Sequence, residues 1–230
     1  KISEKLREFL PERCVLWQEE DTRPYECDGL TAYRRLPMVV ALPETEEQVQ
    51  RILRTCHALG VPVVPRGAGT GLSGGALPPG DGVLLSLAKF MRVVRIDPLA
   101  RIAVVQPGVR NAAISDVVSP FGLYYAPDPS SQIACSIGGN VAENSGGVHC
   151  LKYGLTVHNV LGIKVLTIDG DELTLGGATF DSPGYDLLAL LHGSEGMLGI
   201  VTEITVRLLP IPVAKRLVLA AFANLDAAAD

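Results

Sequence analysis

The sequence predicts an α+β protein with two subdomains, a small β-α-β unit followed by a larger, mostly antiparallel sheet flanked by helices. Three observations support this fold class. A strand, a capped helix and a second strand follow one another between residues 38 and 64. Strand pairs joined by short turns dominate after residue 90, and long glycine-rich segments separate the regular elements. We expect subdomains at 1–90 and 91–212, with 213–230 beginning a further domain.

The composition limits the classes of function. The 230 residues are 47% hydrophobic, which is enough for a sizeable core. A net charge of −5 argues against nucleic-acid binding, which favours a basic face. No apolar run approaches the ~18 residues of a transmembrane segment. The five cysteines and four histidines are dispersed, without a Cys-x-x-Cys pattern. This indicates a cytoplasmic protein with free thiols and no metal site.

A capped helix organises the first subdomain. Thr45 and Gln48 form a capping box at its start, and Gly60 ends it. Its predicted apolar face consists of Val49, Ile52, Leu53, Cys56 and Leu59. Apolar spacing also predicts an opening helix at 2–10 and three strands, at 38–42, 61–65 and 83–87.

Short turns organise the second subdomain. Asp169-Gly170 is the strongest short hairpin signal in the chain. The predicted strands are 93–97, 102–105, 163–168, 172–175 and 200–208. Residues 217–222 have the pattern of a further strand and 225–229 that of a helix start. We therefore expect the chain to be a piece of a longer protein.

Residues 66–75, here called the glycine loop, are the most informative part of the chain. Half of them are glycine, the only charge is Arg66, and an apolar stretch precedes them. Glycine reaches the positive φ values that curl successive N–H groups around an anion. A flexible surface turn is the alternative, but no acidic residue occurs between Arg66 and Gly80. We interpret the loop as a phosphate-binding site.

The context of the loop excludes two familiar nucleotide sites. Residues 69–74 match the dinucleotide fingerprint Gly-x-Gly-x-x-Gly, but that fingerprint requires a helix to begin inside it. Pro78 and Pro79 prevent such a helix, and no acidic residue closes a second strand ~20 residues on. No Gly-Lys-Ser/Thr follows, which excludes a P-loop. A strand, an extended loop and another strand remain.

Two further segments are rich in glycine. Residues 124–154 alternate paired glycines with small amide and hydroxyl side chains, which suits a backbone packed against a flat polar ring. A long loop that only crosses the domain is the alternative, although its apolar residues argue against disorder. Residues 193–200 place glycines around a glutamate at a strand entry, which alone would be an ordinary tight turn.

Few titratable residues accompany these segments. His149 is the histidine most suited to approach a bound ring, and a structural role for it is an equal alternative. Glu143 and Glu195 are the acidic residues nearest the candidate site. Nothing in the sequence pairs them as an acid–base couple.

These three segments, in this order, resemble the flavoprotein oxidoreductases of the vanillyl-alcohol oxidase and p-cresol methylhydroxylase type. The resemblance covers nearly the whole chain and implies the FAD-binding fold of that family. Within it, the chain is most similar to the FAD-binding subunits of bacterial glycolate oxidases, alongside D-lactate and D-2-hydroxyglutarate dehydrogenases. Residues 25–30 and His149 favour the glycolate oxidase type.

The resemblance also implies which residues contact FAD. Residues 65–76 are similar to the family's pyrophosphate loop, 124–131 and 135–153 to its flavin and ribityl segments, and 193–202 to its final FAD-binding strand entry. The cofactor-binding residues expected on this basis are Pro65, Arg66, Gly67, Ala68, Gly69, Thr70, Gly71, Leu72, Ser73, Pro127, Asp128, Ser131, Ser136, Gly138, Gly139, Asn140, Asn144, Gly146, Gly147, His149, Tyr153, Gly154, Glu195, Gly199 and Ile200.

The activity implied by the resemblance is oxidation of a small 2-hydroxy acid, glycolate or D-lactate, to the 2-oxo acid through hydride transfer to flavin N5. Members with covalent flavin carry histidine where Thr70 stands, so we expect noncovalent FAD. The family's metal ligands and catalytic base belong to a substrate domain that follows, and no catalytic residue is assigned here. The implied partners are a second flavin-type subunit and an iron–sulfur subunit, through which a cytoplasmic protein could contact a membrane.

Three alternatives stay open. The chain could be a flavin-binding or electron-transfer module without turnover of its own. It could be a flavin reductase of cell-wall sugar synthesis, although residues 127–153 fit that enzyme poorly. An unrelated α+β protein with incidental glycine loops would bind no flavin at all.

Overall fold

The structure is a computed structural model that describes residues 1–178, 184–214 and 216–229. The helices are α1 (Ile2–Arg7), α2 (Glu19–Thr22), α3 (Glu46–Ala58), α4 (Asn111–Val118), α5 (Ile137–Glu143), α6 (Cys150–Tyr153), α7 (Leu187–Leu191) and α8 (Leu225–Ala229). The strands are β1 (Val15–Leu16), β2 (Val39–Ala41), β3 (Val63–Arg66), β4 (Val83–Ser86), β5 (Val93–Asp97), β6 (Ile102–Val105), β7 (Leu123–Tyr124), β8 (Val160–Leu166), β9 (Glu172–Gly176), β10 (Ile200–Arg207) and β11 (Leu209–Pro210).

The first sheet has the order β1-β2-β4-β3. Strands β2 and β3 both run parallel to β4, and β1 runs antiparallel to β2. All four residues of β4 are buried, as expected for a central parallel strand. The β-α-β unit is present, but β4 lies between its two strands. The chain reaches that place through the glycine loop and its continuation, because these residues lead from the end of β3 back to the start of β4.

Helix α3 confirms the predicted N-cap with one difference in its hydrogen bonds. The Gln48 backbone N–H donates to Thr45 Oγ1 at 3.3 Å. The Gln48 side chain accepts from the backbone N–H of Glu44, not of Thr45. The apolar face is buried except for Leu59, which follows the helix and is exposed.

The second sheet is antiparallel throughout and has the order β5-β6-β10-β8-β9. Strand β10 alternates buried and half-buried residues, as the sequence predicts. Asp169-Gly170 lies in the turn between β8 and β9, and Gly170 has φ +74°. The predicted first strand of this hairpin is displaced: β8 begins at Val160 and ends at Leu166.

Each sheet has its own hydrophobic core. Leu6, Ile52 and Leu53 pack in the core of the first sheet, and Ile114 and Ile137 in that of the second. Two residues at strand ends in the second sheet, Leu166 of β8 and Ile200 of β10, join the first core. The sheets therefore contact each other where β10 begins.

The strand predicted at 217–222 is wrong. The structure places these residues in irregular, exposed chain, and no described residue pairs with them. An isolated strand leaves its backbone N–H and C=O groups without sheet partners, so its apolar pattern alone does not order it. The helix at 225–229 is confirmed. No helix in the described residues is long and apolar enough to cross a membrane.

Candidate cofactor site

A cavity of about 300 Å³ opens where the two sheets meet. Its walls come mainly from three places: the glycine loop, helix α5 with the residues before it, and the turn of residues 192–199 between α7 and β10. These are the three glycine-rich segments that the sequence analysis singled out. Elements far apart in sequence thus converge on one concave site.

At two positions of the glycine loop, a side chain would force a neighbouring side chain to move. Gly69 has φ +71°, and a Cβ there would overlap the guanidinium of Arg66. A Cβ at Gly67 would overlap the hydroxyl of Ser136. No helix begins between β3 and β4. This agrees with a loop that presents its backbone to a ligand, unlike a dinucleotide fingerprint.

Arg66 fastens the glycine loop to the N-terminal segment. Its Nη1 donates to the carbonyl of Cys27 at 2.8 Å, and its guanidinium lies 5.7 Å from the ring centre of Tyr25. Burial lowers the pKa of Arg66, but a guanidinium stays charged at any physiological pH. The cavity therefore keeps a fixed positive charge.

Asp28 is a lining residue that the predicted set lacks. The backbone N–H groups of Leu30 and Gly74 donate to its two carboxylate oxygens, at 2.8 and 3.0 Å. A Cβ on the neighbouring Gly29 would lie 2.8 Å from the carbonyl oxygen of Gly71. Residues 25–30 are thus the support of the glycine loop. The sequence singled them out as a family resemblance, but gave no signal that they fold against residues 40 positions later.

Helix α5 brings four predicted residues to the cavity: Ser136, Gly138, Gly139 and Asn140. The buried hydroxyl of Ser136 has no hydrogen-bond partner in the described residues, so it is available to a ligand. Asn140 has an internal role, because its Oδ1 accepts from Asn111 Nδ2 at 3.0 Å. A Cβ at Gly138 would lie 2.5 Å from Cβ of Pro107.

The turn between α7 and β10 is tied to the end of α5. The backbone N–H of Gly193 donates to the carbonyl of Val141 at 3.0 Å, and that of Glu195 to Ala142 at 2.9 Å. Glu195 has φ +53°, a left-handed conformation that is unfavourable for a residue with a side chain. The segment is a tight turn, as its sequence alone indicates, and it also lines the cavity.

The turn brings Glu195 beside Glu143, a pairing the sequence analysis did not find. Glu143 also accepts a hydrogen bond from Ser73 Oγ at 3.4 Å. Burial raises the pKa of Glu143, and the negative charges of Glu195 and Asp28 raise it further. The described residues contain no cluster of metal-binding side chains.

Nine of the predicted residues do not line the cavity. They are Ser73, Pro127, Asp128, Asn144, Gly146, Gly147, His149, Tyr153 and Gly154. Several form a cluster of their own, in which His149 Nδ1 lies 2.6 Å from Asp128 Oδ2 and the rings of Tyr153 and Tyr124 meet edge to face at 6.2 Å. His149 is largely exposed.

The remaining predicted residues do line it: Pro65, Arg66, Gly67, Ala68, Gly69, Thr70, Gly71, Leu72, Ser131, Ser136, Gly138, Gly139, Asn140, Glu195, Gly199 and Ile200. The lining residues that the predicted set lacks are Asp28, Gly75, Ala76, Leu87, Pro107, Cys135, Val141, Ala142, Glu143, Ser145, Leu191, Ser194, Gly196 and Val201. Most of these residues are small or apolar. They lie next to predicted residues in the sequence, or on elements that reach the cavity only in the folded chain.

Comparison with known proteins decides the family. Residues 37–176 match the FAD binding domain family, which is more than half of the chain. This chain belongs to that family. Its α+β FAD-binding fold and its cofactor, FAD, were both predicted from the sequence and are confirmed.

Several curated relatives of this FAD-binding domain are oxidoreductases. The chain is 64% identical to glycolate oxidase subunit GlcD of Escherichia coli (strain K12), over 97% of its own length and 45% of the relative's. It is 44% identical to GlcD of Bacillus subtilis, over 90% and 44%. A D-lactate dehydrogenase of Anaerostipes hadrus is 36% identical, over 92% and 45%. The resemblance stated from the sequence is confirmed, and the chain spans about half the length of these relatives.

Solved structures share the fold at low identity. An alkyldihydroxyacetonephosphate synthase superposes with a TM-score of 0.81 at 22% identity, over 93% of this chain and 41% of its own. A variant of Phl p 4, described as a glucose oxidase, superposes with a TM-score of 0.76 at 21% identity, over 92% and 44%. Both support the fold alone.

Proposed function

We propose that this chain is the FAD-binding part of a 2-hydroxy-acid dehydrogenase that oxidises glycolate to the 2-oxo acid. The observation that carries the proposal is the convergence of three glycine-rich segments on one cavity, in a chain 64% identical to a glycolate oxidase subunit over 97% of its length. The glycine loop would hold the FAD pyrophosphate through its backbone N–H groups, with Arg66 supplying a positive charge.

The residues present fit such a cofactor. A side chain at Gly67 or Gly69 would displace Ser136 or Arg66, and the Ser136 hydroxyl is free to bind. When bound, FAD would supply the hydride acceptor of the reaction. The chain's own part is to bind the cofactor, orient it and exclude water from one of its faces. We propose noncovalent attachment, because Thr70 stands where covalent relatives carry histidine. We assign no catalytic base to these residues.

The cluster of Asp128, His149 and Tyr153 belongs to the same proposal. It is linked in sequence to the cavity, since Ser131 and Ser145 line it. Gly147 packs directly against Asp128, so the two segments of the cluster hold each other in place. These residues would border the flavin at the edge of the site.

The partners proposed for the whole protein are a second flavin-type subunit and an iron–sulfur subunit, which would accept the electrons. A cytoplasmic location, with membrane contact through those subunits, is part of the proposal. It is supported by five cysteines that are all free.

An anaerobic bleaching experiment tests the function. The whole protein, once purified, should show the visible absorbance of oxidised flavin and lose it on addition of glycolate. D-Lactate and D-2-hydroxyglutarate are the comparison substrates, because relatives named as dehydrogenases of those acids are 36% identical to this chain. Faster bleaching by either of these acids would identify that acid, and not glycolate, as the substrate. A yellow protein that no 2-hydroxy acid bleaches would instead be a flavin-binding module. Acid precipitation should release all the flavin if it is noncovalent.

A further inference from the structure

The charges lining the cavity do not match a diphosphate ligand. Asp28, Glu143 and Glu195 line it, whereas Arg66 is the single basic residue among the described lining residues. Arg66 is already bonded to the carbonyl of Cys27. The pyrophosphate of FAD brings two further negative charges. Some compensation is needed beyond one guanidinium and the loop's N–H groups.

Two of these carboxylates form a pair against the glycine loop. Glu143 is the last residue of α5, and the hydrogen bond from Glu195 to Ala142 places the turn beside it. An oxygen of each glutamate lies within 3.3 Å of the point where a Cβ of Gly75 would stand. A Cβ added at Gly71 would lie 3.4 Å from Glu143 Oε1. The pair thus flanks the loop expected to hold phosphate.

The surroundings of Glu143 favour its neutral form. The groups that face it are Ser73 from the glycine loop, Glu195 from the turn and Asp28 from the N-terminal segment. Burial and the two carboxylates raise its pKa, and only the hydrogen bond from Ser73 opposes them. A dianion on the loop would act in the same direction as the two carboxylates.

We propose that FAD enters this cavity together with one proton, which Glu143 takes up beside Glu195. The proton comes from the solvent and binds a carboxylate oxygen, so one negative charge beside the loop disappears as the cofactor binds. The inference rests on the proposed function only in that FAD occupies this cavity. Because the complex holds one more proton than the free protein, FAD affinity must fall as pH rises.

Calorimetry measures the proton directly. FAD is titrated into the flavin-free protein at one pH in buffers of different ionisation enthalpy, and the dependence of the heat on that enthalpy counts the protons taken up. We expect uptake approaching one proton, and a dissociation constant that rises by up to tenfold for each pH unit. Glu143→Gln should abolish the uptake and bind FAD more tightly than the wild type, and the ratio of the two dissociation constants should grow by up to tenfold for each pH unit.

Three variants complete the test. Glu195→Gln should reduce the uptake, because the negative charge that raises the pKa of Glu143 is lost, and the double variant should behave like Glu143→Gln. Glu47→Gln, on the exposed side of α3, is the matched control and should leave binding unchanged. Thermal unfolding checks that each variant is folded.

Two results would overturn the inference. One is tight FAD binding by the wild type with no proton uptake. The other is weaker binding by Glu143→Gln, which would mean that the carboxylate accepts a hydrogen bond from the cofactor. Both leave the proposed function intact, whereas a protein that binds no FAD at any pH would contradict function and inference together.

Discussion

Arg66 combines two tasks in one side chain. It brings a positive charge to the glycine loop, and it holds residues 25–28 in place through the Cys27 carbonyl and the Tyr25 ring. Its planar guanidinium serves both, because one edge can donate to a backbone carbonyl while the rest faces the cavity.

We expect Arg66→Ala to weaken FAD binding by about tenfold to 100-fold, since hydrogen bonds to charged groups contribute about 1.5–3 kcal/mol. Fluorescence titration of FAD measures this. Arg66→Lys keeps the charge but loses the planar contacts, so its FAD affinity should lie between those of the wild type and Arg66→Ala. Arg95→Ala, on the exposed surface of β5, is the control. Unchanged FAD affinity in Arg66→Ala would remove the basis for a pyrophosphate site on this loop.

Gly69 and Gly60 allow the effect of crowding to be separated from that of backbone strain. Both have positive φ, at +71° and +63°. A Cβ at Gly69 would overlap Arg66, whereas a Cβ at Gly60 would meet nothing within 4 Å. Both alanine variants should lose about 1 kcal/mol of stability from backbone strain. Only Gly69→Ala should also lose FAD affinity, because Arg66 must move. Equal FAD affinity of both variants, measured by the same titration, would contradict the inference that Gly69 leaves room for Arg66 to bind FAD.

Helix α3 shows which features of a single element its own sequence predicts. Its N-cap, its buried face and its glycine end were all predicted, because each depends on residues at most a few positions apart. The same is true of the hairpin at Asp169-Gly170 and of the alternation in β10. Strand 217–222 failed because a strand depends on partners that its own residues do not specify.

We expect Thr45→Ala to lower the free energy of unfolding by about 1 kcal/mol, the usual contribution of an N-cap. Its side chain accepts from the Gln48 N–H, and alanine leaves that donor without this partner. FAD affinity should not change, since Thr45 does not line the cavity. Thr55→Ala in the same helix is the control, and should be neutral or slightly stabilising because alanine is the better helix former. Chemical denaturation checks both, and equal losses would contradict a capping role.

At the scale of the whole molecule, the site exists only where distant parts meet. The sequence indicated that three glycine segments share one function, and it did so through their composition and their resemblance to a family. It could not indicate that Asp28 would accept a hydrogen bond from Gly74, or that Glu143 and Glu195 would both lie beside Gly75. No local pattern encodes a contact across 46 or 52 positions. The place of β4 between β2 and β3, about which the sequence made no prediction, has the same origin.

A cofactor bound between the two sheets should stabilise the whole assembly. FAD at 100 times its dissociation constant would add about 2.7 kcal/mol, which raises the melting temperature of a domain of this size by about 5–10 °C. At equal concentration FMN and riboflavin should raise it less, because they lack part or all of the pyrophosphate that the glycine loop would hold. Thermal unfolding of the flavin-free protein with each flavin measures this. An equal shift with riboflavin and FAD would show that the loop contributes nothing to binding.

The left-handed backbone of Glu195 has a consequence for the history of this chain. A residue with a side chain at φ +53° lowers the stability of the fold by about 1 kcal/mol relative to glycine. The nearby Gly193 and Gly196, which also have positive φ, avoid this loss. Selection for stability alone would favour glycine at this position too. A more robust fold was therefore within reach by one substitution, and we expect Glu195→Gly to unfold at a higher temperature than the wild type. The carboxylate then represents a compromise, in which a less stable fold is kept for the effect that we propose this acid has on FAD binding.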